Sequence, residues 1–335
     1  MSQVFSGKNI TVLMGGKSAE RDISLKSGGA VADALASTGA VVTRLDTAVT
    51  AWHHNLPIET FVFNLLHGVG GEDGSVQGLL DSLGVPYSGS GVLGSALCMD
   101  KAKTKLVWRS LGLPTPGFEM IDANSDLSAV IDRLGPVFVK PVSEGSSVGM
   151  SMANDAEELE KALALAAKSH VPVMAEALVT GDEFTVAIVN GKALPSIKIT
   201  PAEVFYDFDA KYVSNETLFE CPAPLSSVES AELQALALRA FDASGAEIWG
   251  RVDVIRGVDG WQLLEVNTIP GMTEHSLVPK AAAAAGLSFV DLLAEIYRAS
   301  LARRSASSRS NARVGAESEP DVRDTSESGE VPYDA

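Results

Sequence analysis

Short apolar runs alternate with amphipathic stretches through the first hundred residues of the chain. Asn9–Met14 is an apolar, β-branched run that Gly15-Gly16 interrupts, and residues 22–35 then repeat apolar positions at helical spacing. Further apolar runs at 41–45 and 61–66 predict two more strands. Because strands and helices alternate here, we expect an α/β lobe with a parallel, doubly wound sheet.

The remainder of the chain carries further helical and strand patterns in a less regular order. The patterns predict helices at 101–111, 156–168, 229–243 and 292–301, and strands at 137–140, 173–177, 184–189, 194–199, 251–255 and 261–266. We expect lobes over 1–100, 101–186 and 187–302. Segment 303–335 is rich in Ser, Arg and acidic residues, so we expect a tail that buries too little apolar surface to order itself.

Charge narrows the classes of partner. The chain of 335 residues has 26 Lys and Arg against 43 Asp and Glu, a net charge of −17. This excess repels a phosphate backbone, so we expect no nucleic-acid partner. A polyanionic ligand would have to be met by a few local cations or by a metal ion. The apolar share of 46% is typical of a globular chain.

The number of cysteines and the length of the apolar segments indicate the cellular compartment of the protein. Cys98 and Cys221 are too few for a disulfide scaffold or a thiolate metal cage. The chain does not open on a basic and then apolar signal sequence, and no apolar run approaches 18 residues. We expect no membrane partner and a cytoplasmic location.

Two short segments combine carboxylates, an amide and a guanidinium. Residues two apart share a face of a strand, so Arg251 with Asp253, and Glu265 with Asn267, each point one way. The short turn at 257–260 makes the two strands neighbours, which would bring all four side chains together. Oxygen ligands of this kind suit Mg²⁺. The alternative is a plain hairpin with a surface salt bridge.

A small-residue loop follows Lys140. Backbone N–H groups of residues 144–149 could approach phosphate oxygens, and Lys101 could supply a second cation. The loop matches neither the Walker A nor the dinucleotide-binding pattern, and a plain turn is the alternative.

Two further loops each end a predicted N-terminal strand. His67 precedes the glycine-rich segment 70–74, and Glu20 ends the loop after the first strand. The carboxyl ends of parallel strands commonly hold ligands. Glu20 is therefore a candidate partner for a substrate ammonium group, and His67 is either a substrate contact or a structural hydrogen-bonding residue.

A fourth candidate lies after Asn267. Gly271 would let a backbone N–H approach a reacting centre closely. Ser276 and Leu277 precede Pro279, which marks a helix start and hence a carboxylate-binding site. The alternative is that Ser276 is simply an N-cap.

Together these segments resemble the D-alanine–D-alanine ligase family of ATP-grasp enzymes. The resemblance rests on 15–21, 66–74, 99–101, 139–141 with 144–149, 205–207 with 210–212, 250–253 and 265–273 with 275–279, in family order. It implies a three-lobed ATP-grasp fold, with an α/β N-terminal lobe and α+β lobes after it. It also implies that ATP phosphorylates one D-alanine, that a second D-alanine attacks the acyl phosphate, and that ADP and phosphate are released. Two Mg²⁺ or Mn²⁺ ions and a homodimer are the implied metal content and assembly.

The resemblance also implies a role for each candidate residue. It assigns the metal to Asp253, Glu265 and Asn267, the ATP phosphates to Lys101 and Lys140, and adenine and ribose to Glu176, Val179 and Glu183. It assigns the oxyanion to Arg251 and the Gly271 N–H, and the first substrate to Glu20 and His67. The second substrate's carboxylate falls to Lys211, Ser276 and Leu277, and Ser146 and Tyr212 would pin a mobile loop over the site.

One position departs from the family pattern, and two other functions remain open. Ala177 stands where many relatives have Lys, which would remove a side-chain contact to adenine. A D-alanine–D-lactate ligase is one alternative, although Tyr212 favours the dipeptide product. A nucleotide-binding protein that has lost catalysis is the other, although all the proposed metal, phosphate and oxyanion residues are present.

Overall fold

The computed structural model describes residues 4–49, 51–143, 149–201 and 217–316, with side chains up to residue 303. Each of three separate sheets is built from a consecutive part of the chain.

The first sheet is parallel, as the sequence pattern predicts. It contains β1 (Asn9–Met14), β2 (Val41–Asp46) and β3 (Phe61–Asn64), in the order β2-β1-β3. Helix α1 (Arg21–Ser37) follows β1, and its buried face packs on the sheet. Helices α2 (Ser75–Ser82) and α3 (Val92–Met99) complete this part of the chain.

The second sheet is antiparallel and is preceded by a helix. Helix α4 (Lys101–Ser110) begins at Asp100, whose side chain accepts a hydrogen bond from the Lys103 N–H. The sheet contains β4 (Phe118–Ile121), β5 (Val137–Pro141), β6 (Ser151–Ala153) and β7 (Val173–Ala177), in the order β4-β7-β5-β6. Helices α5 (Leu127–Leu134) and α6 (Ala156–Ala166) share one apolar core with it.

The third sheet is also antiparallel and lies in the last part of the chain. It contains β8 (Asp182–Val189), β9 (Lys192–Ala193), β10 (Ile197–Thr200), β11 (Leu218–Glu220), β12 (Trp249–Gly257) and β13 (Gly260–Asn267). The helices here are α7 (Ser227–Ala243), α8 (Leu277–Ala284) and α9 (Phe289–Ala316). Helix α7 begins with a capping box between Ser226 and Glu229 and packs against β8, β12 and β13.

The first and third sheets share an apolar core. Residues of β1 and β3, including Ile10 and Phe63, belong to the same buried cluster as Trp249 of β12 and Leu292 of α9. The two regions are thus held together by side-chain burial, which sets the loops after β1 and β3 against the loop after β13.

Several element boundaries differ from the sequence predictions. The strand predicted at 61–66 ends at Asn64, because the side-chain amide of Asn64 bonds the Gly71 carbonyl and its Oδ1 accepts the Leu66 N–H. Of the strand predicted at 194–199, only residues 197–199 lie in a strand, β10, and the short β9 ends before the predicted range. Helix α9 continues past 301 to Ala316, so it covers the first part of the predicted tail.

None of the helices within the described ranges is both long and apolar enough to cross a membrane by itself. One pair, Leu277–Ala284 with Phe289–Arg303, passes that test jointly, by length and composition only, with a bend of 102° between the two.

Candidate active site

The centre of the site is the hairpin of β12 and β13. The register places Asp253 opposite Glu265 and Arg251 opposite Asn267, so the predicted pairing of these strands is confirmed. Arg251 makes a bidentate ion pair with Asp253, with both N···O distances 2.8 Å. The Asn267 amide donates to the same carboxylate at 2.9 Å. Asp253 is 5% exposed, so its charge is held by these fixed donors rather than by water.

Two features of the hairpin were not predicted. The register shifts between Asp253 and Val254, which is a β-bulge directly beside the carboxylate pair. On the other side of β12, Thr185 of β8 donates its hydroxyl to Asp253 at 2.6 Å. Thr185 carries no sequence signal, because only the pairing of β8 with β12 brings it to Asp253.

Helix α4 brings Lys101 to the same hairpin. The ammonium group lies 3.3 Å from the Glu265 carboxylate, and its side chain is 9% exposed. Lys101 is the first residue of the helix, and its N–H donates to the Val142 carbonyl just after β5. The metal-ligand candidates and this phosphate candidate therefore adjoin one another.

Lys140 of β5 takes part in a buried charge triad with Glu176 of β7 and Lys105 of α4. Each Glu176 oxygen forms an ion pair with one of the two ammonium groups. Burial acts to raise the pKa of Glu176, but the two lysines hold it below its usual value. Burial lowers the pKa of Lys105 to about 8, against the opposing effect of Glu176.

Lys105 was missed by the sequence analysis, although a signal for it existed. Positions 101, 104, 105 and 108 of α4 are all buried, and two of them are lysines. A lysine on the buried stripe of a helix needs a carboxylate partner.

The loop after β1 is fixed by an ion pair at its base. Arg21 pairs with Asp46 at 2.5 Å and donates to the Gly16 carbonyl at 2.8 Å. The Arg21 guanidinium holds the pKa of the Asp46 carboxyl well below its usual range. Glu20 is buried at the start of α1, and a Cβ on Gly68 would lie only 2.8 Å from its carboxylate. Glu20 and the loop that carries His67 are thus in direct contact.

His67 is buried near Arg251 of β12 and Ile269 of the loop after β13. Burial lowers the pKa of its imidazole to about 4, and the Arg251 charge acts in the same direction. A hydrogen bond to the backbone of Ile269 opposes them. Within the described residues, its Nε2 has no hydrogen-bond partner. The neutral ring therefore has one nitrogen without a hydrogen-bond partner. A histidine with a purely structural hydrogen-bonding role would have both nitrogens bonded.

Glu72 links the loop after β3 to the loop after β13. No role was assigned to it from the sequence. One oxygen accepts the Gly68 N–H at 2.8 Å, and the other accepts the Ile269 N–H at 3.3 Å. Burial and the nearby Glu20 carboxylate raise the pKa of Glu72 to about 8. The loop after β3 is in this way tied to the loop after β13.

Gly271 and Ser276 lie together after β13. A Cβ on Gly271 would lie 3.0 Å from the Ser276 hydroxyl oxygen, so a side chain there would force that hydroxyl to shift by a few tenths of an ångström. Ser276 occupies the N-cap position of α8 but makes no capping hydrogen bond. Its hydroxyl oxygen instead accepts the Thr273 N–H at 3.0 Å and pairs with the Thr273 hydroxyl at 2.8 Å. Leu277 opens the helix, so its N–H precedes the first intrahelical bonds.

The predicted adenine contacts lie where the second sheet passes to the third. Val179 is in the short connection between β7 and β8, and Glu183 is the second residue of β8. The Ala177 and Leu178 N–H groups bond the carbonyls of Gly117 and Pro136. Glu176 is different, because its side chain is committed to Lys105 and Lys140.

The donor set suits a hard divalent cation. Asp253, Glu265 and Asn267 offer carboxylate and amide oxygens on one face of the hairpin, which fits Mg²⁺ or Mn²⁺. Within the described ranges no three His, Cys, Asp or Glu side chains form a metal-binding group. The set therefore depends on Asn267 and on oxygens supplied by a bound ligand.

Three predicted site residues, Ser146, Lys211 and Tyr212, lie outside the described residues. Of the other candidates, the structure joins Arg251, Asp253, Glu265, Asn267 and Lys101 by direct contacts, and Glu72 ties the His67 loop to the loop after β13.

Comparisons with known proteins identify the family to which the chain is similar. Family models described as D-ala D-ala ligase C-terminus and N-terminus match residues 107–298 and 45–90. A D-alanine–D-alanine ligase of Pseudomonas entomophila is 50% identical over 299 residues, covering 88% of this chain and 94% of that protein. A crystal structure of a D-alanine–D-alanine ligase from Bacillus anthracis superposes with a TM-score of 0.82, at 36% identity. The superposition covers 90% of this chain and all of that one. A structure of the Bacillus anthracis ligase complexed with ATP gives 0.80 at 33% identity, with the same coverage.

Proposed function

The chain belongs to the D-alanine–D-alanine ligase family, and from this premise we propose how its own residues share the reaction. The enzyme joins two D-alanine molecules at the expense of ATP, in the synthesis of a cell-wall precursor. Its fold is of the ATP-grasp type. The roles below are proposals, supported by the positions of the residues described above.

Lys101 and Lys140 bind the ATP phosphates. Transfer of the γ-phosphoryl group to the carboxylate of the first D-alanine requires alignment and neutralisation of charge more than covalent chemistry. Lys101 adjoins Glu265 of the hairpin, and Lys140 keeps 13% of its side chain exposed. Adenine binds at Glu176 and Val179, through backbone groups since the Glu176 side chain is occupied, and Glu183 binds the ribose.

Asp253, Glu265 and Asn267 hold two Mg²⁺ or Mn²⁺ ions. Such ions, when bound, neutralise the negative charge of the phosphate oxygens. Arg251 and Asn267 keep the Asp253 carboxylate oriented at 2.8 and 2.9 Å, which fixes the direction of its oxygens before any ligand binds.

Glu20 and His67 bind the ammonium group of the first D-alanine. Glu20 supplies the negative charge, and the uncharged His67 ring offers Nε2 as an acceptor. A protonated imidazole would repel an ammonium group, so the lowered pKa of His67 suits this role. Glu72 aligns the two loops by its bonds to Gly68 and Ile269.

Arg251 and the Gly271 N–H stabilise the oxyanion formed when the second amine attacks the acyl phosphate. Ser276, the Leu277 N–H and Lys211 bind the carboxylate of the second D-alanine. The start of α8 favours an anion at this position. Ser146 and Tyr212, together with Glu20, hold a loop that excludes water from the acyl phosphate.

The protein is also proposed to be a cytoplasmic homodimer with lobes over 1–100, 101–186 and 187–302. The boundary between the second and third lobes falls within β8, which belongs to the third sheet. A division that follows the sheets would place it in the connection between β7 and β8.

The observation that carries the proposal is the ion pair of Lys101 with Glu265 of the hairpin, together with the bonds by which Glu72 ties the His67 loop to the loop after the hairpin. The test is ADP release by the purified protein with ATP and Mg²⁺, in parallel with D-alanine, L-alanine and D-lactate. We expect release with D-alanine alone and formation of the dipeptide. Dependence on D-lactate would identify an ester-forming ligase, and ATP binding without any release would identify a nucleotide-binding protein that has lost catalysis.

A further inference from the structure

Lys105 is a buried cation whose donors are all used inside the protein. Its side chain is 1% exposed. The ammonium group pairs with Glu176, donates to the Thr115 hydroxyl at 2.8 Å and donates to the Leu263 carbonyl at 3.1 Å. An ammonium group has three donors, and these three acceptors use them all. Lys105 therefore has no donor left for a ligand.

The position of Lys105 relates it to both phosphate-binding candidates. Lys101 and Lys105 are one helical turn apart on α4 and so share a face. Their partners on β13 are the Glu265 carboxylate and the Leu263 backbone carbonyl, two residues apart along that strand. The pair of lysines thus fixes the register of α4 on the strand that carries two metal-ligand candidates.

The link to Lys140 passes through Glu176. Lys105 occupies one carboxylate oxygen, and Lys140 occupies the other. Two ammonium charges share one carboxylate charge, which leaves one positive charge in the triad. Of the three side chains only Lys140, at 13%, has appreciable exposure. The surplus positive charge is therefore accessible to solvent mainly through Lys140.

We propose that Lys105 is a positioning residue for ATP, which neutralises Glu176 so that the Lys140 charge remains available to the phosphates. The proposal rests on the function proposed above for Lys140. Without Lys105, Lys140 would be the sole cation on Glu176, and the pair would be neutral. Lys105 thus acts on a ligand that it does not touch.

A cycle of variants tests this charge arithmetic. Lys105→Met leaves the triad neutral, Glu176→Gln leaves it with two positive charges, and Lys105→Met/Glu176→Gln restores one. We expect Lys105→Met to weaken ATP binding by about tenfold, the scale of losing an outer partner of a ligand-binding group. The double variant should recover most of that loss. A merely structural role would give no recovery, because the second substitution would add to the damage.

The measurement is equilibrium binding of ATP and of adenosine to the intact protein with Mg²⁺, together with the KM values for both substrates. Adenosine binding and the KM for D-alanine should change little, because the effect is exerted on the phosphates. Lys103→Met is the matched control, since Lys103 lies on the same helix with its side chain 71% exposed. We expect it to bind ATP as the unsubstituted protein does.

Two results would overturn the proposal. One is ATP binding by Lys105→Met equal to that of Lys103→Met, and the other is a double variant no better than Lys105→Met. If Lys105→Met does not fold, Thr115→Val serves instead, because it retains the charge but removes one anchor of Lys105. Thr115→Val should weaken ATP binding by a smaller factor, and unchanged binding would reject the role. An unsubstituted protein that released no ADP with D-alanine would contradict the proposed function instead.

Discussion

The β12–β13 hairpin and the buried charge triad hold ionic groups in different ways. On the hairpin, Arg251, Asp253 and Asn267 come from two strands joined by a short turn and bond directly to one another. In the triad, Lys105, Lys140 and Glu176 come from a helix and two strands of distant sequence positions.

The difference shows what each arrangement can do. Glu265 and Asn267 of the hairpin line a small cavity with Lys101, and in the proposed function the contacts of the hairpin groups are exchanged for contacts with a metal ion or phosphate. The triad is mostly closed to solvent, and its central carboxylate is fully used by protein cations. Removing one partner of a buried ion pair typically costs about 3–5 kcal/mol, because an uncompensated charge remains. We therefore interpret the hairpin as the reacting surface and the triad as its support.

The largest expected effect comes from the hairpin. Asp253→Asn keeps the shape of the side chain but removes the charge that would hold the metal. We expect turnover to fall by at least about 10³-fold, or about 4 kcal/mol of transition-state stabilisation. The measurement is ADP release at saturating Mg²⁺, with circular dichroism to verify the fold.

The control for Asp253 lies on the same hairpin. Asp259 is exposed in the turn between β12 and β13, so Asp259→Asn should retain full activity. Near-normal turnover by Asp253→Asn would contradict the assignment of Asp253 as a metal ligand. It would also contradict the interpretation of the hairpin as the reacting surface and the triad as its support.

A prediction of intermediate size concerns the loss of folding stability at acid pH, which involves His67 and not the charge triad. His67, beside Arg251, has a pKa lowered to about 4, whereas an unfolded histidine titrates near 6.5. Between these values the unfolded chain binds the extra proton, so stability falls as the pH drops from about 6.5 to about 4. The two pKa values correspond to a loss of about 3 kcal/mol. The charge triad titrates at alkaline rather than acid pH, because the pKa of Lys105 is about 8.

Urea unfolding at several pH values measures this effect. His67→Gln should flatten the part of the stability profile between pH 4 and 6.5. An unchanged slope in that variant would show that His67 is not held neutral by the fold. Gly70→Ala, in the same loop, is unsuitable as a control because Gly70 has a φ of +87°.

The smallest expected effect concerns Thr185. Thr185→Val removes one hydrogen bond to Asp253 at nearly constant volume, and we expect a loss of about 1 kcal/mol in the free energy of unfolding. Thr200→Val, at an exposed position of β10 in the same sheet, should cost less. Equal losses in both variants would mean that the Thr185 bond adds nothing to the support of Asp253.

Much of the fold could be predicted because it follows local patterns. The parallel pairing of β1, β2 and β3, though not their order, was expected from alternating strands and helices, and the facing of Asp253 and Glu265 from the two-residue period of a strand. The bulge beside Asp253 could not be predicted, since a register shift depends on the partner strand. The start of β10 at Ile197, rather than at 194, likewise depends on pairing with β8.

The amino-acid sequence by itself determined which side chains share a face of an element and where the small-residue loops lie. It thereby located the hairpin residues, Lys101 and the His67 loop. Only the tertiary structure decided that Lys105 meets Glu176 and that Glu72 bonds both Gly68 and Ile269. Periodicity shows that a position is buried but not which distant chain segment covers it. A buried charge is stable only if that segment brings its counter-charge.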